Sequence, residues 1–100
     1  MDRKIQIIDG IDRVELFGNL DVNLNLIKEA TGVEIIQRDN ELVLVEHAEG
    51  SEADLDLAAG ILGELMTILA GGEPLDKQKV AYVINLKKEG ISYERAESIH

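Results

Sequence analysis

The sequence predicts an α+β domain in which three antiparallel strands form a sheet with helices on one face, followed by an extra C-terminal helix. Three observations predict it. Residues 33–39 and 41–47 are strand-like runs that meet at the turn-forming pair Asp39-Asn40, which reads as a hairpin. Residues 20–31 and 55–69 repeat apolar side chains at three- and four-residue steps, the spacing of one helical face. Gly71-Gly72-Glu73-Pro74 then breaks the helical pattern, because two glycines and a proline cannot continue it.

In chain order, Lys4 to Ile8 alternates until Asp9-Gly10 and predicts a first strand. Ile11 to Phe17 predicts one or two helical turns with Val14 and Phe17 facing inward, ended by Gly18. A helix follows from about Asp21 to Thr31, with Leu20, Leu24, Ile27 and the methyl of Thr31 on its apolar face and Gly32 as its stop. Asp21 suits an N-cap, since a carboxylate accepts the unpartnered amide hydrogens of a first turn. In the hairpin, Val33, Ile35 and Gln37 face one way and Ile36 and Arg38 the other, so both sheet faces carry apolar residues. Ser51 is the expected N-cap of the longest helix, whose core stripe is Leu55, Ala58, Leu62, Leu65 and Leu69, widened by Ile61, Met66 and Ile68. Gly60 and Gly63 inside it imply either a close backbone approach or simple tolerance. Asp76 to Lys88 predicts a last helix packed through Val80, Val83 and Ile84, and 92–97 restarts in helical style. The expected division is 1–72 as the domain and 73–100 as an appended helix with the start of a linker.

Composition narrows the function. Twenty acidic residues against ten basic give a formal net charge of -10, which opposes strong binding to polyphosphate. There is no cysteine for a thiolate nucleophile or metal site. No apolar run approaches the ~20 residues of a membrane span, so the expectation is a cytoplasmic protein without a membrane partner. Three aromatic residues, Phe17, Tyr82 and Tyr93, are too few for a base-stacking platform.

Gly18, Leu24, Ile27 and Thr31-Gly32 stand where the KH pattern has its first loop glycine, two helix aliphatics and the closing Thr-Gly pair. The order strand, short helix, glycine turn, helix, strand, strand, long helix resembles the type I KH fold over roughly residues 4–70, the fold whose Gly-x-x-Gly loop grips nucleic-acid backbone. Asp21 replaces the second loop glycine. A narrower resemblance rests on Leu16-Phe17-Gly18, Gly32-Val33-Glu34-Ile35, Arg38-Asp39-Asn40-Glu41-Leu42, Gly72-Glu73-Pro74-Leu75, and Val80 with Ile84. Together these are similar to the N-terminal region of PhoH-like proteins, the phosphate-starvation-inducible family with a P-loop ATPase domain. Asp39 departs from the family's commoner Arg-Gly-Asn-Glu-Leu hairpin. The resemblance implies ATP and magnesium binding in a further domain, because no Gly-x-x-x-x-Gly-Lys-Ser/Thr occurs in this chain. This segment is expected to be non-catalytic and to hold no cofactor of its own.

The remaining constellations carry little chemistry. Glu52, Asp54 and Asp56 lack the glycine and bidentate glutamate of a calcium loop and suit a helix first turn. His47 and His100 have no metal-ligand spacing, and Ser51, Ser92 and Ser98 lack nucleophile-elbow glycines. The resemblance points to Gly18, Asn19, Leu20 and Asp21, flanked by Lys28 and Arg38, as a nucleic-acid site. Asn19 and Leu20 bring no charge, and Asp21 repels phosphate. The expectation is weak positioning of RNA or another single strand for the ATPase domain. The alternative is a protein-interaction or oligomerisation module with a degenerate loop, in which Lys77, Lys79 and Lys88 meet the ATPase domain or a neighbouring subunit.

Overall fold

The computed structural model describes residues 2–46, 52–93 and 96. They form β1 (Asp2–Gln6), α1 (Arg13–Phe17), a 3₁₀ turn (Asn19–Asp21), α2 (Val22–Thr31), β2 (Val33–Arg38), β3 (Glu41–Glu46), α3 (Glu52–Ala70) and α4 (Lys77–Lys88). The fold is α+β with an antiparallel sheet in the order β1-β3-β2. The expected N-cap Ser51 and both histidines lie outside the described residues.

The strands follow their register. Leu44 stands between Arg3 and Ile35, and Leu42 between Ile5 and Gln37, which puts these residues on one face. Arg3 reaches from that face to Asp56 of α3, so this is the side that α3 covers. On the other face Val43 lies between Lys4 and Ile36, itself buried while both neighbours are exposed. The first strand starts and stops two residues earlier than Lys4 to Ile8. Its partner β3 begins at Glu41, opposite Gln6, and the Ile7 amide donates instead to the Asn40 carbonyl of the hairpin turn. At that turn Asp39 takes φ 46°, the left-handed region that a glycine would occupy without strain.

Leu16, Ile27, Val33, Leu42, Leu44, Leu55, Ile61, Leu62 and Leu65 form the centre of the core. Val80, Val83 and Ile84 of α4 belong to the same cluster, with α4 packed against α2 and α3. The Asp76 carboxylate caps α4 by accepting from the Lys79 amide at 2.7 Å, as an N-cap side chain should. A Schellman motif closes α3. Glu73 N–H donates to Ile68 O and Gly72 N–H to Leu69 O, a geometry that needs φ 89° at Gly72. Within α3, Gly60 faces α4: a Cβ there would stand 3.8 Å from the Lys87 stem, while nothing lies within 4 Å of one on Gly63. A Cβ would thus fit at either position, and simple tolerance accounts for both glycines.

Two inward placements read from the sequence are corrected. Val14 is 71% exposed, because α1 is a single turn that turns Leu16 and Phe17 into the core instead. Leu20 is 89% exposed, because the helix starts two residues later and the buried stripe of α2 is Asn23, Ile27 and Thr31, with Leu24 half-buried beside it.

Candidate functional site

The loop between α1 and α2 is built by its backbone. Asp12 caps α1 by accepting from the Val14 amide at 2.9 Å, and one turn later the Gly18 amide donates to the Val14 carbonyl at 2.9 Å. Gly18 then leaves the helix at φ 82°, ψ 164°, a conformation that excludes side chains. A Cβ at Gly18 would also meet Val22 Cγ1 at 2.7 Å and Asn23 Cγ at 2.9 Å. Leu20 (φ 55°, ψ 34°) and Asp21 (φ 58°, ψ 28°) are both left-handed. Position 21 thus keeps the backbone shape of a loop glycine although its residue is aspartate.

That shape removes the capping role expected of Asp21. It occupies the N-cap position of α2, yet its side chain makes no capping hydrogen bond. Side-chain capping uses an extended N-cap backbone, which aims the carboxylate back at the amides of the first turn. A left-handed backbone aims it elsewhere, and Asp21 stands exposed.

Below the loop, α2 and the start of β2 are pinned together. The buried Thr31 hydroxyl donates to the Ile27 carbonyl at 2.8 Å and accepts from the Val33 amide at 3.1 Å. Gly32 turns the chain in the left-handed region, its amide donating to the Lys28 carbonyl at 2.7 Å. Between helix and strand lies a cleft of about 190 Å³ lined by Asp21, Leu24, Asn25, Lys28, Glu34 and Ile35. A larger, more open depression of about 440 Å³ continues along α2 past Asn25, Lys28, Glu29 and Gly32. Leu24 and Ile35 pack on the core beneath it, so the surface that the cleft exposes is mainly polar. Because β3 lies on only one side of β2, the other side of the strand is a sheet edge among the described residues.

Charge in the cleft is unfavourable to a phosphate. Lys28 is its lysine, and the ammonium is engaged with Glu34 Oε2 at 2.7 Å, both side chains about half exposed. Asp21 and Glu29 add further negative charge at the cleft and the neighbouring depression. Of the residues expected from the sequence, Asp21 and Lys28 come together in the cleft, with Gly18, Asn19 and Leu20 in the loop that leads into Asp21. Arg38 stands exposed at the far end of β2 and is not among the lining residues. Asn25, Glu29, Glu34 and Ile35 were not singled out. The spacing of Asn25, Lys28, Glu29 and Gly32 is itself helical and marks the side of α2 opposite Asn23, Ile27 and Thr31, which is the signal that could have found the first three.

On α4, Lys77 and Lys88 are exposed. Lys79 is half-buried and donates its ammonium to the Pro74 carbonyl at 3.2 Å, so it serves the start of its own helix. Among the described residues no cluster of three carboxylates or histidines could hold a metal ion, and no helix is long and apolar enough to cross a membrane.

No protein-family model, curated protein or solved structure matches this chain.

Proposed function

We propose that this segment is the KH-like accessory domain of a PhoH-like ATP-binding protein, and that its α2–β2 cleft positions a short single strand of RNA, weakly, for the ATPase domain. The observation that carries the reading is the left-handed backbone at Asp21, which keeps a glycine-type loop at the mouth of a cleft between helix and edge strand. The mainly polar lining of the cleft suits hydrogen bonds to a base edge or sugar, and the edge of β2 offers backbone groups to its rim. The acids around the cleft keep the affinity low. ATP and magnesium belong to the ATPase domain, and this segment does no chemistry.

One observation favours a second reading. Leu20 and Val14 present large apolar side chains at 89% and 71% exposure on the same loop and its preceding turn. Two large hydrophobes this exposed, six positions apart in the chain, suit a protein interface if they form one patch, which would make the segment a docking module.

Fluorescence anisotropy with a short single-stranded RNA separates the two. The expected result is weak binding at low salt, lost at moderate salt, and tightened about tenfold when Asp21→Gly and Asn19→Lys move the loop charge by two units. A folded double variant that binds no RNA at low salt overturns the nucleic-acid reading. Self-association in sedimentation without RNA, abolished by Leu20→Ser, would put the docking module in its place.

A further inference from the structure

Lys28 and Asn25 line both the cleft beside β2 and the open depression beyond it, so they form the ridge between the two. From that ridge the Lys28 ammonium leans across the cleft to Glu34 of β2 at 2.7 Å. This ion pair joins the two walls of the cleft. We infer that Glu34 acts as an internal stand-in for phosphate: its carboxylate takes the place at Lys28 that a phosphodiester of a bound single strand would take, and binding requires the exchange of one anion for the other. The inference rests on the nucleic-acid reading and adds a regulatory contact to it.

The physical case is one of competition between like ligands. A carboxylate and a phosphodiester are both oxyanions, and an ammonium is a compact point charge that donates to either. The pair is half exposed on both sides, where an ion pair is worth little and exchanges readily with a competing anion. Lys28 sits three residues before Thr31, whose hydroxyl fixes the helix end to β2. The lysine is therefore presented by a rigid wall, and the carboxylate from Glu34 reaches it from the facing one. The same contact explains how a groove can carry a lysine at its centre and still repel phosphate: its one central cation is already neutralised, with Asp21 and Glu29 in excess.

The test is a double-mutant cycle read by anisotropy with a short single-stranded RNA, over a salt series, with circular dichroism as the folding control. Glu34→Gln is expected to tighten binding about three- to tenfold at low salt. It should also steepen the salt dependence by about 0.7 in log–log slope, the increment for one added phosphate contact on a single strand. Lys28→Gln in the Glu34→Gln background should abolish both changes. If Glu34→Gln tightens binding equally with and without Lys28, the carboxylate acts only through its overall charge and the inference fails. If Glu34→Gln changes nothing while Asp21→Gly with Asn19→Lys binds RNA, the inference fails and the nucleic-acid reading stands. If none of the folded variants binds, both fail together.

Discussion

The Asn23 side-chain amide donates to the Leu16 carbonyl at 3.1 Å, with the Glu15 carbonyl 3.4 Å away. A residue in the first turn of α2 thus satisfies carbonyls at the end of α1 that the helix itself leaves without partners. Only 3% of Asn23 is exposed, so water has little access to replace it.

Asn23→Ala is therefore expected to destabilise the fold by about 1–3 kcal/mol, the range for leaving buried polar groups unsatisfied. Asn23→Asp should cost more at neutral pH, because a carboxylate would face carbonyl oxygens with no hydrogen to donate. Urea unfolding of the two variants measures both. A loss below about 0.5 kcal/mol for the alanine would show that the bond does not order the loop.

The loop backbone sets a second expectation. Left-handed φ costs an L-residue roughly 1–2 kcal/mol, whereas glycine adopts it freely at some entropic expense in the unfolded chain. Leu20→Gly should consequently raise stability by about 0.5–1 kcal/mol, since Leu20 buries almost nothing that could be lost. Leu20→Ala should leave it unchanged, which isolates the backbone effect. Asp21→Gly should be neutral or mildly stabilising, in contrast to the small loss that an N-cap role would impose. Gly18→Ala should destabilise sharply, given the contact under 3 Å that its Cβ would make with Val22. Thermal unfolding of the four variants decides each sign.

Helix α4 belongs energetically with the body of the domain. Val80 and Val83 are essentially inaccessible to water, in one cluster with Leu62 and Leu65. Ending the chain at Gly72 should expose that cluster and abolish cooperative unfolding. Val83→Ala in the full segment should cost about 1–3 kcal/mol. A truncated segment that melts at the temperature of the full one would show α4 to be a tether.

The sheet and both long helices were legible because their signals are local: strand-forming runs on either side of Asp39-Asn40, and apolar steps of three and four in α3 and α4. The rotation of α2 was not. Leu20 fits the apolar stripe by spacing, but two left-handed residues precede the helix and shift its start, and nothing in residue type announces them. Asn23 was hidden for another reason: a polar side chain is buried here only because its partner, Leu16, lies across a turn whose shape the sequence leaves open. The cleft was half legible. Asp21 and Lys28 follow from the KH resemblance, whereas Glu34 becomes significant only when the 2.7 Å pair across the helix and strand is seen.

The strand order carries a consequence for the route by which the chain reaches this structure. β2 and β3 are joined by two residues, while β1 must wait for β3 with α1, α2 and β2 lying between them in the chain. Closing that long loop costs entropy before any ladder hydrogen bond repays it, so the expected order is hairpin first, with β1 docking after the barrier. Ile5→Val should accordingly hasten unfolding and hardly alter refolding in stopped-flow mixing, whereas Ile35→Val in the hairpin should slow refolding. On this account, sheet closure at β1 governs how long the folded segment persists, and the hairpin governs how quickly it is regained.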